Sequence, residues 1–283
     1  MGVCALEKSI AMTTWQSGFV QSGAIALHYQ RAGQGVPVIL AHGRTDNAAC
    51  WQAFAELLVQ HYDVVMYDAR GHGLSGHTAA QYAPHDLAAD MRNVIDALQL
   101  VRPIVIGHSM GAMATLAAAT TYPDQIRAIV LEDPPLEMLN PLVDADVAAA
   151  NDAGFYTWLD DLKTLSLEQL IVRGADDNPT WQAVELRPWA HAKLQVGARL
   201  PFNETDRFVA WQTMIAALTM PTLLIVGDPA SRVIVTAQEA ALARQLSPWV
   251  EIGLIRNVGH CIRREAPAAY AAMVLDFLKR TQG

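Results

Sequence analysis

Residues 103–122 read Pro-Ile-Val-Ile-Gly-His-Ser-Met-Gly-Ala-Met-Ala-Thr-Leu-Ala-Ala-Ala-Thr-Thr-Tyr, and Pro123 follows. Pro103–Gly107 is a short apolar run of the kind a strand buried on both faces shows. From Met110 to Thr121 the residues turn small and helix-forming, and Pro123 marks a stop. Between the two lies Gly107-His108-Ser109-Met110-Gly111, which predicts a sharp strand-to-helix turn with Ser109 at its apex. A serine nucleophile needs an exposed hydroxyl, a nearby base and donors for a developing oxyanion. Such a turn exposes the hydroxyl, and the amide after the serine points outward from a helix N-terminus. Glycine on either side of the serine prevents collisions where the backbone folds back. The pentapeptide alone is a modest signal. The flanking strand and helix make it specific.

Working outward, strands alternate with helices. Phe19–Gln21 and Ala24–Gln30 flank Ser22-Gly23, a hairpin signal. Pro37–Ala41, Asp63–Tyr67 and Arg127–Leu131 read as further strands. Trp51–Gln60 reads as a helix burying Trp51, Phe54, Leu57 and Leu58. Pro84–Leu98 reads as another, burying Leu87, Met91, Val94, Ile95 and Leu98. Units of this length imply a parallel α/β sheet with right-handed crossovers. From Leu136 to Asp206 no strong strand occurs, and helical patterns cover Asp144–Ala153, Phe155–Leu162, Ser166–Val172 and Thr180–Val196. Strands resume at Pro221–Gly227 and Val250–Ile255, followed by helices Thr236–Leu246 and Ala266–Lys279. Residues 1–135 and 207–283 are therefore expected to form the core, and 136–206 a helical cap. The alternative is a set of ordinary packing helices with no lid role.

A chain of 283 residues suits one such domain. Its net charge of −8 opposes binding to nucleic acid or to an anionic membrane surface. No stretch approaches the roughly 20 apolar residues of a membrane span. Cys4, Cys50 and Cys261 form no zinc pattern or disulfide framework, which fits a reducing, cytoplasmic setting. Met1–Met12 holds Glu7 and Lys8 and reads as neither a signal peptide nor a lipidation motif. Met1 and Met12 are both open as starts.

Four pieces stand at the ends of predicted strands or close to the chain end. They are His42-Gly43, Tyr67-Asp-Ala-Arg-Gly-His-Gly-Leu-Ser75, the turn at Ser109, and Gly259-His260. Together they resemble the α/β-hydrolase family, over about Phe19 to Leu278. The resemblance implies a mostly parallel α/β-hydrolase sheet with helices on both faces and an inserted helical cap. It implies that His260, in Asn257-Val-Gly-His-Cys261, is the base for Ser109. It also implies that the amides of Arg44 and Met110 form the oxyanion hole. His42, His72 and His108 are expected to be structural, bonding loop backbone. Arg44 stands where related sequences often carry an apolar residue. Its guanidinium is expected to point to solvent, the alternative being a substrate carboxylate.

The acid of the triad has two candidates. Family members usually place an aspartate three residues after the glycine that ends the strand following the cap. Here Gly227-Asp228-Pro229-Ala230 puts Ala230 there. Other members take the acid from the end of the preceding strand, where Leu131-Glu132-Asp133-Pro134 lies. Asp133 is preferred, with Asp228 as the alternative. Met138, Phe155, Trp158, Trp181 and Trp189 are candidate pocket residues. Cys50 and Cys261 read as small buried hydrophobes. The implied reaction is two-step acyl transfer on a small, largely apolar ester or lactone. It calls for no metal or organic cofactor, in a monomer or homodimer. The rivals are carbon–carbon bond hydrolysis of a ring-cleavage product, perhydrolysis, and a hydrolase-like ligand receptor.

Overall fold

The structure, a computed structural model, describes residues 13–77, 83–136, 145–197, 209–228 and 233–282, with the side chains of 145–152 left out. Eight strands form one sheet in the order β1-β2-β4-β3-β5-β6-β7-β8. They are β1 (Gln16–Ser22), β2 (Ile25–Gly33), β3 (Val36–Ala41), β4 (Tyr62–Tyr67), β5 (Ile104–His108), β6 (Ala128–Glu132), β7 (Thr222–Val226) and β8 (Val250–Leu254). The hairpin β1–β2 turns at Gly23, whose φ of 59° suits a residue without a side chain. β2 pairs antiparallel with β4, and every pair from β4 to β8 is parallel.

Alternation along the strands explains the two-sided core. On β5, Val105 joins one apolar layer, while Ile104 and Ile106 join the other. The first layer is covered by α2 (Pro84–Ala97), α3 (Met110–Thr121), α7 (Trp211–Ala216) and α8 (Ala237–Leu246). The second is covered by α1 (Gln52–Leu58) and α10 (Pro267–Thr281). This is the mostly parallel α/β-hydrolase sheet with helices on both faces. Leu57 departs from expectation and is 51% exposed. A 3-10 turn over Ala48–Trp51 precedes α1, so the phase of that helix differs from a single α-helix begun at Trp51.

Between β6 and β7 the described residues form α4 (Ala145–Lys163), α5 (Leu167–Asp177) and α6 (Ala183–Gln195). Two separately expected helices are one, because Gly154 costs a helix only about 1 kcal/mol. A capping box between Ser166 and Gln169 starts α5. These helices share a small core of Leu162, Leu170, Trp189 and Ala190. Short α9 (Ile262–Glu265) and α7 carry no signal long enough to read in the sequence. Among the described residues no helix is long and apolar enough to cross a membrane.

The chain crosses from β4 on one side of β3 to β5 on the other. The crevice beyond the carboxyl ends of β3 and β5 is therefore where a ligand site forms in such sheets. Helix α3 packs very close there. A Cβ on Gly111 would collide with the Ala41 carbonyl, and one on Gly107 with the Gly111 carbonyl. Gly111→Ala is expected to destabilise the fold by about 2–3 kcal/mol through overpacking. Gly154→Ala, with open space around it, is expected to add about 0.5–1 kcal/mol. Urea unfolding of the two variants checks both signs.

Candidate active site

Ser109 separates β5 from α3 and sits at φ 52°, ψ −118°. A positive φ in a non-glycine residue stores about 1–3 kcal/mol and needs a scaffold to hold it. The scaffold is visible: the Ser109 amide donates to the Glu132 carbonyl at 2.9 Å, and its own carbonyl receives Met113 N–H at 3.0 Å. Met110 opens α3, so its N–H belongs to the first helical turn, where no intrahelical acceptor exists.

Asp133 follows β6 and is fully buried. Its carboxylate accepts the amides of Ile234 and Val235, each at 2.9 Å. It also accepts Nδ1–H of His260 at 2.7 Å, and His260 is 30% exposed. That bond fixes the tautomer and leaves Nε2 on the far side of the ring. Ser109 and His260 line one cavity of about 750 Å³. The His260 ring lies 4.7 Å from that of His108, the neighbour of Ser109. Among the described residues no hydrogen bond joins Ser109 Oγ to His260 Nε2. Unliganded sites often hold that pair apart until substrate binds. Asp228 follows β7 and is not among the residues lining this cavity.

A second buried acid steadies the histidine loop. Glu132, next to Asp133, accepts the Arg263 amide at 2.9 Å and faces its Nη1 at 3.4 Å. Burial raises the Glu132 pKa and Arg263 opposes the rise. Adjacent residues of one strand end thus grip His260 and Arg263, three positions apart. Gly259 N–H donates to Glu265 at 2.8 Å, closing the same loop.

The other three motif histidines bond backbone. His42 Nε2 accepts Ala69 N–H at 2.9 Å, and its Nδ1 donates to the Gly43 carbonyl at 2.9 Å. His72 Nδ1 donates to the Arg70 carbonyl at 2.9 Å, and Nε2 accepts Thr45 N–H at 3.4 Å. His108 Nε2 donates to the His260 carbonyl at 3.1 Å. Burial lowers the pKa of all three; the charges of His260 and Arg263 lower that of His108 further.

Residues 43–46 form a tight turn after β3, closed by Asp46 N–H on the Gly43 carbonyl at 3.0 Å. Arg44 on this turn lines the cavity rather than pointing to solvent. Its guanidinium lies 4.0 Å over the Phe155 ring, and Nη2 donates to Tyr156 Oη at 2.9 Å. The flat, weakly hydrated cation prefers that aromatic surface. Phe155, Trp158, Trp181 and Trp189 also line the cavity, whereas Met138 lies outside the described residues.

The cavity is less apolar than its aromatic residues suggest. Asp46, Lys193 and Arg264 join its wall. Lys193 Nζ lies 3.2 Å from Asp46, and Arg264 lies 3.0 Å from Asp46 and 3.2 Å from Glu185. Burial opposes ionisation of Asp46, but Arg264, Lys193 and Arg263 outweigh it and hold the carboxyl well below the usual range. Sequence reasoning missed this network, since charges on a helix read as a solvated face. Burial pushes the Cys50 thiol up to about 12 and the Cys261 thiol to about 11, so both are poor nucleophiles. Among the described residues no cluster of His, Cys, Asp and Glu side chains could hold a metal ion.

A sheet of this order, with a serine turn after β5 and a buried acid–histidine pair beside it, has the α/β-hydrolase architecture. The family model described as alpha/beta hydrolase fold matches residues 36–262, and the chain belongs to that family. It is similar to 2-(acetamidomethylene)succinate hydrolase of Mesorhizobium japonicum, at 24% identity over 281 residues, covering 96% of this chain and 99% of the relative. N-formylmaleamate deformylase of Pseudomonas putida is 28% identical over 279 residues, covering 92% and 96%. The crystal structure of E-2-(acetamidomethylene)succinate hydrolase shares the fold. Its TM-score is 0.74 at 22% identity, over 94% of this chain and 100% of that one. Family and relatives support hydrolase activity.

Burial and the neighbouring His42 hold His72 down to about 3. In the unfolded chain a histidine binds its proton near about 6.5. The stability that neutral His72 contributes is therefore present above that pH and lost as pH falls toward 3. Between pH 7 and 5 the wild type should lose about 2 kcal/mol more than His72→Gln, read from urea midpoints at the two pH values.

Proposed function

We propose that the protein is a serine hydrolase that cleaves a small carboxylic ester or lactone through an acyl-enzyme. The observation that carries this reading is the 2.7 Å bond from His260 to the buried Asp133, beside Ser109 on its strained turn in the same cavity. His260 Nε2 takes the Ser109 proton as Oγ attacks the carbonyl carbon. The oxyanion rests on the amides of Arg44 and Met110, and the imidazolium is stabilised by Asp133. His260 then protonates the leaving group, and a water activated by the same imidazole releases the acid. The reaction needs no cofactor. The helices of 136–206 serve as the cap, with Phe155, Trp158, Trp181 and Trp189 as the apolar side of the cleft.

A second reading keeps the same machinery and changes the substrate. The two relatives are named for a succinate and a maleamate, both carboxylate-bearing compounds. The Arg44 guanidinium on the cavity wall gives this chain a cation suited to such a group. A panel of neutral esters and lactones beside amides of unsaturated dicarboxylic acids separates the two.

Ser109→Ala should abolish covalent labelling by a fluorophosphonate probe in the purified protein. Labelling that persists would remove Ser109 from the mechanism. Asp133→Asn should lower kcat by about 10⁴-fold, because the amide cannot support the imidazolium. Asp228→Asn should stay within about tenfold of wild type, and the reverse order would transfer the acid's role to Asp228.

A further inference from the structure

We infer that Lys193, carried by α6 between β6 and β7, is a positioning residue for the oxyanion turn at residues 43–46. The inference rests on reading Ser109 as the nucleophile and the Arg44 amide as an oxyanion donor. Lys193 is buried, and its Nζ donates to the Thr45 carbonyl at 3.0 Å and to Asp46 Oδ1 at 3.2 Å. Thr45 has a φ of 67°, a conformation that a β-branched residue keeps only when its surroundings impose it. Those surroundings are two contacts on its own backbone. His72 Nε2 accepts its N–H, and Lys193 binds its C=O. Loss of the second contact leaves the peptide that follows Thr45 held by its N–H on the Gly43 carbonyl alone, which loosens the turn. The Arg44 amide sits one residue upstream and drifts with it.

Lys193 does more than dock α6. Three other contacts join this helix and its end to the core without touching the Thr45 carbonyl. Glu185 faces Arg264 at 3.2 Å, Gln195 accepts Asn47 Nδ2 at 2.7 Å, and Gly197 N–H donates to the Gly71 carbonyl at 2.9 Å. Trp189 shields the ammonium, with its ring 5.0 Å from Nζ. Asp46 supplies the compensating charge that a buried ammonium requires. A helix from the middle of the chain thus sets the geometry of a turn near its beginning. The part of this segment nearest Lys193 is a fixed component of the site.

The test uses the full chain and the rate of fluorophosphonate labelling, which seats a developing phosphoryl oxyanion on the same donors and needs no known substrate. Labelling rate constants and thermal midpoints are measured for wild type, Lys193→Met, Lys193→Arg and Gln195→Ala. K193M should label about 10–100-fold more slowly than wild type at a temperature where both are folded. K193R, which keeps a cation with N–H donors, should label at least about fivefold faster than K193M. Q195A should lower the thermal midpoint and leave the labelling rate unchanged, because it removes a docking contact of α6 that belongs neither to the 43–46 turn nor to the cavity wall. If K193M does not fold, Lys193→Gln replaces it, being polar but too short to reach the Thr45 carbonyl. Folded K193M or K193Q labelling at the wild-type rate overturns the inference while leaving the Ser109 reading intact. A wild type that takes no label overturns both.

Discussion

Every carboxylate removed from water must find a cation or a set of N–H donors, and three such groups organise this protein. Asp46, Glu132 and Asp133 are all buried at the carboxyl ends of β3 and β6. Each draws its partners from distant parts of the chain. Asp46 takes Lys193 and Arg264, Glu132 takes Arg263, and Asp133 takes His260 with two amides beyond β7. An isolated buried charge costs several kcal/mol, so the partners are held as firmly as the acids. The arrangement fixes the histidine loop, the turn after β3 and helix α6 against one another around a single cavity.

That cavity combines two kinds of wall. One is aromatic, and the Arg44 guanidinium sits 4.0 Å over the Phe155 ring. The other is ionic, with charges that are already matched within the protein. A matched wall offers polarity without a large net field, so a bound molecule meets fixed dipoles rather than mobile water. The histidines around it complete the design. Neutral imidazoles that both donate and accept can satisfy two backbone groups at once, as His42 and His72 do between the turns after β3 and β4.

Much of the fold was legible because β3, β5, β6 and β7 are buried on both faces and therefore read as apolar runs between turn residues. The strand–serine–helix turn was legible for a further reason: Gly107 and Gly111 are required by close approach, and close approach leaves a trace in the sequence. Other features left none. Nothing in the order of residues says that Lys193, Glu185 and Arg264 are buried, because helix charges normally face water. The phase of α1 leaves none either: Leu57 is turned outward because a 3-10 turn precedes the helix, and the two conformations share the same amino acids. The choice between Asp133 and Asp228 could be posed from spacing. Their separation from His260 is a matter of three dimensions.

The grip of β6 on the loop that follows β8 has a bearing on biosynthesis. His260 and Arg263 are synthesised 127 and 131 residues after Asp133 and Glu132, respectively. Until they emerge from the ribosome, Glu132 lacks the amide and guanidinium of Arg263, and Asp133 lacks the imidazole of His260. Closing that gap is a long-range event, and it comes late. The centre is thus completed only when a segment far downstream of the two acids has been made.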